Sequence, residues 1–106
     1  AREWINSAPL YIICMKAVDA CWVRPQDGKS HGDIDVAIAT EHLCLAAAER
    51  GLGSCWVCNY KVAKLAELFP RPGYEAIAVI PIGHIAPDCP INEKKRKPLE
   101  EITETV

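Results

Sequence analysis

The sequence has 106 residues, of which half are hydrophobic and a quarter are charged, and its net charge is −2. This balance is typical of one globular domain and excludes a fibrous or disordered chain. Basic residues cluster in the run Lys94–Lys97, so the sequence offers no broad surface for nucleic acid. No apolar run approaches the roughly 20 residues that cross a bilayer, and no membrane partner is predicted.

The six cysteines occur without a secretory signal peptide ahead of them. Disulfides are rare in the reducing cytoplasm, so we interpret the thiols as reduced and expect a cytoplasmic protein. Cys14 and Cys44 lie in apolar runs, where a free cysteine behaves as a small buried hydrophobic residue.

The first strand is predicted over Leu10–Met15. Residues 1–7 are expected to finish a helix or a loop, and Pro9, which cannot donate to a β-ladder, fits the first position of a strand. The strand is apolar on both faces, as a central strand covered on both sides would be. Residues 17–32 are rich in turn-forming residues and predict a loop.

The most regular predicted helix runs from Ile34 to Arg50. Asp33 is its expected N-cap, and Gly51 is expected at the C′ position, where the left-handed conformation suits glycine. Small and apolar side chains occur all round this helix. Such a helix is expected to be buried, either against a sheet or against another subunit.

The second half of the sequence predicts a strand over Ser54–Cys58, an amphipathic helix over Tyr60–Phe69 and a second doubly apolar strand over Glu75–Ile82. Residues 85–93 predict an irregular tail, and residues 99–103 a short last helix after a proline. The order of these elements indicates an α+β fold built as a three-layer α/β sandwich. Three strands leave open sheet edges that another chain or segment would have to cover.

Three sequence runs resemble the FMN-dependent nitroreductase family. They are the Ala-rich helix leading into Gly51-Leu52-Gly53-Ser54-Cys55-Trp56, the run Ile80-Pro81-Ile82-Gly83-His84, and the tail Lys94-Lys95-Arg96-Lys97-Pro98-Leu99. They occur in the order and at intervals suitable for the family. The resemblance implies a nitroreductase-like fold and a homodimer that binds FMN between its subunits. It also implies hydride transfer from NAD(P)H through the flavin to a nitroaromatic, quinone or similar acceptor.

The resemblance assigns cofactor-binding roles to two segments. Trp56, Val57, Cys58 and Asn59 match the stretch whose main chain passes the reactive edge of the flavin, where a backbone N–H stabilises charge on the reduced ring. Lys94 and Arg96 match the late phosphate contact of the family, and a guanidinium offers phosphate a planar fork of donors. Because the flavin carries the chemistry, no catalytic acid–base residue is expected.

The sequence departs from the family near its beginning. The Arg-x-Ser-x-Arg phosphate clamp and the Asn/Gln-rich turn that the family places there have no counterpart in this sequence. We therefore expect residues 1–106 to form the C-terminal portion of a nitroreductase-like domain.

Three other interpretations of the sequence stay open. A degenerate domain without cofactor could act as a dimerisation or interaction module. Cys55 and Cys58 form a CxxC, the motif of thiol–disulfide modules, although a strand would point the two thiols to opposite faces. The same cysteines with His31 and His42 give four candidate zinc ligands. Only the two cysteines are close in sequence, whereas a structural zinc site usually has two close pairs of ligands.

Overall fold

A computed structural model describes residues 3–106. Positions 1 and 2 of the helix or loop predicted over residues 1–7 therefore lie outside the described residues. The chain folds into four α-helices, three strands and a short 3-10 helix at Val18–Ala20 among these residues. In chain order they are α1 (Glu3–Asn6), β1 (Leu10–Ala17), α2 (Gly32–Glu49), β2 (Leu52–Ser54), α3 (Val62–Leu68), β3 (Tyr74–His84) and α4 (Leu99–Ile102).

The three strands form one antiparallel sheet in the order β1-β3-β2. The strands predicted over Leu10–Met15 and Glu75–Ile82 are confirmed, each with a few additional residues. The prediction that the first strand is central is wrong within this chain, because β1 pairs with β3 on one side only. The central strand is β3, whose side chains Ala78, Ile80 and Ile82 form the buried core.

Helix α2 packs across the face of the sheet that carries this core. Leu43 and Cys44 of α2, together with Cys14 of β1, pack against the buried β3 side chains. Gly51 has a φ of +72°, which confirms the predicted left-handed C′ glycine after the helix. The helix contributes Thr40 and Ala47 to the interior, while much of its remaining surface is exposed within this chain.

The predicted N-cap of this helix is wrong. The helix begins at Gly32, with His31 in the N-cap position, so Asp33 lies in the first turn. The Asp33 carboxylate instead accepts a hydrogen bond from Lys16 Nζ at 2.5 Å. Gly32 is buried because Cys21 lies against it, so close that a Cβ at Gly32 would stand 2.2 Å from the Cys21 sulfur. This close approach brings the start of the helix down onto the preceding loop.

The opposite face of the sheet is covered by α1, by the segment after β2 and by α3. Val79 and Pro81 of β3 point to this side, since successive residues of a strand face opposite sides. The arrangement is the expected α+β fold, with helices on both sides of the sheet.

The chain after β3 forms an exposed tail. Every residue from His84 to Val106 is exposed, including the apolar side chains of Ile91, Leu99 and Ile102. The radius of gyration is 17.0 Å, whereas a compact chain of this length has about 13 Å. The predicted irregular tail and short final helix are both present, and they make few contacts with the body of the chain. No helix among residues 3–106 has the length and apolar character needed to cross a membrane.

Candidate functional site

A cavity of about 650 Å³ lies on the face of the sheet opposite α2. Its wall on one side is α1, and its wall on the other is the segment between β2 and α3. The sheet forms the floor through Tyr11, Val79 and Pro81. Aromatic and aliphatic side chains dominate the lining, which suits a flat and largely apolar ligand. The four residues predicted for the flavin ring all line this cavity: Trp56, Val57, Cys58 and Asn59.

The segment that carries these four residues is not the regular strand that the sequence predicted over Ser54–Cys58. The strand ends at Ser54, and beyond it Val57 forms an isolated antiparallel bridge with Val79. The Val57 N–H donates to the Val79 carbonyl at 3.0 Å, and the Val79 N–H donates back at 2.9 Å. The chain therefore continues along the edge of β3 without forming a continuous ladder.

The hydrogen bonds leave some main-chain donors of this segment available. Because the Val57 N–H is committed to Val79, it cannot donate to a ligand. The N–H groups of Trp56, Cys58 and Asn59 have no acceptor within residues 3–106. The Tyr60 N–H donates to the Cys58 carbonyl at 3.2 Å, which closes a tight turn around Asn59. The adjacent residues Cys58 and Asn59, whose N–H groups are unpaired, therefore both line the cavity.

The end of the segment is fixed by the half-buried Tyr60. Its hydroxyl donates to the Ala76 carbonyl of β3 at 2.9 Å. Partial burial raises the pKa of this phenol, and its electrostatic interactions with Cys58 and Glu75 raise it further. The phenol is therefore protonated and able to donate throughout the ordinary pH range.

Two aromatic residues of the cavity were not predicted from the sequence. Trp4 of α1 and Tyr11 of β1 line the wall and floor, and the Tyr11 hydroxyl donates to the Ile5 carbonyl. The alternation of β1 could have indicated that Tyr11 lies on the face away from α2. Nothing in the sequence places Trp4 beside the distant segment Trp56–Asn59, because that contact depends on the tertiary fold.

The two residues predicted for phosphate do not join this cavity. Lys94 and Arg96 lie in the exposed tail, and neither lines the cavity within the same chain. A second cavity of about 640 Å³ adjoins the first, sharing Trp4, Cys55 and Pro81, and it extends under the tail as far as Pro90. The structure therefore brings together four of the six predicted residues.

The thiol and zinc interpretations find little support in the geometry. Cys55 and Cys58 both line the first cavity, contrary to the strand argument, but they do not open a helix, since α3 begins at Val62. The helix dipole that lowers a thiol pKa in CxxC modules is therefore missing from this position. Among residues 3–106 no three His, Cys, Asp or Glu side chains are grouped so as to hold a metal ion. His31 and His42 therefore do not form such a group with Cys55 and Cys58.

An antiparallel three-stranded sheet, with a long helix on one face and a largely apolar cavity on the other, defines an α+β protein with a site suited to a flat ligand. Comparison with known proteins gives the family. The chain belongs to the Nitroreductase family, whose profile matches residues 1–84.

Solved structures of the family share this fold. A nitroreductase family protein from Clostridium difficile 630 is 39% identical, with a TM-score of 0.86 over 94% of this chain and 60% of its own. A second, from Clostridium novyi NT, is 29% identical, with a TM-score of 0.65 over 73% of this chain and 43% of its own.

A curated relative gives a more distant similarity. Iodotyrosine deiodinase 1 of Homo sapiens is 28% identical over 111 aligned residues, covering 99% of this chain and 37% of that protein. The chain thus spans a little over a third of the curated relative and three-fifths of the more similar solved structure.

Proposed function

We propose that this chain forms part of an FMN-dependent oxidoreductase and that the isoalloxazine ring lies in the cavity between α1 and Trp56–Asn59. The observation that carries the proposal is the pair of unpaired N–H groups at Cys58 and Asn59 on the wall of a cavity lined largely by apolar and aromatic side chains. Family membership supports the same cofactor class. When bound, FMN accepts two electrons from NAD(P)H and passes them to a nitroaromatic, quinone or similar acceptor.

The residues of the chain have distinct parts in this proposal. The main-chain donors of Cys58 and Asn59 would hold the ring by hydrogen bonds and would favour its reduced, more negative form. Val57 holds these donors in place through its bridge with β3. The apolar walls would exclude water from the ring, which would strengthen each of these hydrogen bonds.

We propose that the phosphate is held by Lys94 and Arg96 of a second copy of the chain. Both residues lie in the exposed tail and neither reaches the cavity of its own chain. An arm with exposed apolar side chains that makes few contacts with its own body gains stability by packing on another copy. The cofactor site would then contain residues of two subunits.

Helix α2 supports the homodimer. Its exposed side chains Ile34, Ile38 and Leu45 lie on one stripe, because positions separated by four and eleven residues face the same direction at about 100° per residue. Thr40 and Ala47 face the opposite direction, into the core. A helix that is apolar on both sides packs favourably against the same helix of a partner, as a two-fold interface requires.

The share of a related structure that this chain covers supports a proposal about its place in the family's domain. The chain spans 60% of the related nitroreductase structure, and we propose that residues 1–106 represent the C-terminal portion of the family's domain. The remaining phosphate contacts would then come from a segment that precedes this portion in the relatives.

Steady-state assays under anaerobic conditions test the activity. Purified chain supplied with FMN is mixed with NADH or NADPH and a quinone or nitroaromatic acceptor, and consumption of the nicotinamide is followed. We expect consumption that requires both FMN and the acceptor and saturates with the acceptor. A stable colourless dimer that binds no added FMN would instead favour the interaction-module alternative.

A second candidate reaction is the reductive removal of iodide from an iodotyrosine. It is favoured by the curated relatives, which are iodotyrosine deiodinases from Homo sapiens and Mus musculus. The same assay with 3-iodotyrosine as acceptor tests it, because two electrons and one proton convert the carbon–iodine bond to a carbon–hydrogen bond and release iodide. Measured iodide release would support this candidate, and its absence alongside quinone reduction would exclude it.

A further inference from the structure

The segment between β2 and α3 keeps the register of the β2–β3 pairing although it is not a regular strand. Ser54 pairs with Ile82, Val57 bridges Val79, and the Tyr60 hydroxyl binds Ala76. From one contact to the next, the position moves three residues forward in this segment and three residues back in β3, so the antiparallel register of the ladder is unchanged from β2 to Tyr60. Between the second and third contacts lie Cys58 and Asn59, which line the cavity.

The three contacts are made by different kinds of chemical group. The first two are main-chain pairs, which any residue except proline can make. The third is made by a side chain, the phenol of Tyr60, and this contact is the last one before α3 begins at Val62. Without the phenol hydroxyl, the segment from Ser54 to Tyr60 would be tied to β3 at its start and middle but not at its end.

We infer that Tyr60 is a positioning residue, which fixes the direction of the Cys58 and Asn59 N–H groups by tying the end of their segment to β3. The inference rests on the proposed function for the identity of the ligand, but the tie itself is a property of the chain alone. The Tyr60 hydroxyl donates its proton to the Ala76 carbonyl of β3 at 2.9 Å, so this donor is used within the chain.

Replacement of Tyr60 by phenylalanine tests the inference. This variant keeps the ring that packs at the cavity and removes only the hydroxyl. Tyr74→Phe is the matched control, since Tyr74 is exposed and the cation of Arg71 contacts its ring at 5.2 Å from the ring centre. Both variants lose one phenolic oxygen, and only the first loses the contact with Ala76.

Hydrogen exchange of the protein without flavin measures the tie directly. We expect the amide of Val57 to exchange several-fold faster in Tyr60→Phe than in the original chain or in Tyr74→Phe. The amides of the core strand at Ala78 and Ile80 should keep their exchange rates, which separates a local release from general destabilisation. Equal Val57 exchange in the two variants overturns the inference, whether or not the protein binds FMN.

FMN titration supplies the second readout. We expect Tyr60→Phe to bind FMN about three- to tenfold more weakly, the range associated with one lost hydrogen bond. At saturating FMN the visible circular dichroism of the bound flavin should differ from that of the original chain, because the donors meet the ring at another angle. Unchanged affinity and an unchanged spectrum would overturn the inference, whereas failure of the original chain to bind FMN would overturn the proposed function.

Discussion

At Gly51 the chain leaves helix α2 through a left-handed turn and enters the strand that leads to the cavity. Its φ is +72°, and a Cβ at this position would meet nothing within 4 Å. The need for glycine is therefore conformational and not a matter of space. A side chain in the left-handed region costs about 1–2 kcal/mol.

We predict that Gly51→Ala lowers the free energy of unfolding by about 1–2 kcal/mol, and that Gly51→Asn lowers it by less, because asparagine adopts this conformation more readily. Urea denaturation followed by circular dichroism measures both values. Equal stability of the original chain and Gly51→Ala would show that the turn does not require glycine.

Arg96 is the residue on which the proposed phosphate contact depends most. We predict that Arg96→Ala weakens FMN binding by about 1.5–3 kcal/mol, or roughly 10- to 150-fold, because a charge-assisted hydrogen bond is lost. Lys95→Ala removes one charge from the same cluster and serves as the control for general electrostatic attraction. An equal loss of affinity in both variants would mean that the cluster acts through its net charge and that Arg96 makes no specific contact.

Single residues show where sequence reasoning succeeds. Gly51 could be assigned from the sequence because the glycine ends a long helical pattern, a local signal. The role of Asp33 could not, because its carboxylate accepts a hydrogen bond from Lys16 of the distant strand β1. The same limit applies to Trp4, whose place at the cavity depends on contacts between distant parts of the chain.

At the scale of elements, Lys16 links the end of β1 to the starts of α2 and β3. Its ammonium lies 2.5 Å from Asp33 Oδ1 on α2 and 3.6 Å from Glu75 Oε2 on β3. The hydrogen bond to Asp33 is the largest cause of its raised pKa, and the charges of Asp33 and Glu75 raise it further.

Because the pKa of Lys16 is raised, the contribution of its ion pairs to stability depends on pH in the alkaline range. The contribution is fully present below the unfolded value of about 10.4 and is lost as the pH rises through the higher folded value. We predict that the original chain is more stable than Lys16→Met below pH 10 or so, and that their melting temperatures converge at higher pH. Lys29→Met, at an exposed loop position, should follow the original chain at every pH. A constant difference between the original chain and Lys16→Met across the alkaline range would contradict this account.

Elements formed by continuous apolar runs were predictable, whereas the segment after β2 was not. Strands β1 and β3 are recognisable because each contains a run of apolar residues bounded by turn formers. The segment Ser54–Cys58 has similar composition but lies at a sheet edge, where it touches β3 only at intervals of three residues. Composition does not distinguish such a segment from a regular strand, since both require side chains that fit beside a sheet.

At the scale of the whole molecule, the proposed dimer accounts for the exposed apolar stripe of α2 and for the extended tail. Ile38 and Leu45 are 54% and 58% exposed in the single chain, which a second copy would bury. The composition of the helix indicated a buried element, but the sequence could not say whether the sheet or a partner covers each side. The position of the tail is unpredictable for the same reason, because its proposed contacts lie on another copy.

We predict that Ile38→Glu shifts the chain from dimer to monomer, since the substitution places a charge in an interface that excludes water. Val62→Glu is the matched control, because Val62 is 61% exposed on α3, outside the proposed interface. Sedimentation velocity at several concentrations measures the distribution. Dissociation by both variants, or by neither, would contradict an interface centred on α2.

The amount of FMN that stays with the purified chain tests the central claim most directly. The chain is incubated with excess FMN, desalted, and its flavin absorbance is compared with its protein concentration. Binding through Cys58 and Asn59 in the described cavity predicts one flavin per chain, with a strong loss in Asn59→Pro, which lacks the donor N–H. A colourless chain after desalting, or full retention by Asn59→Pro, would contradict the account.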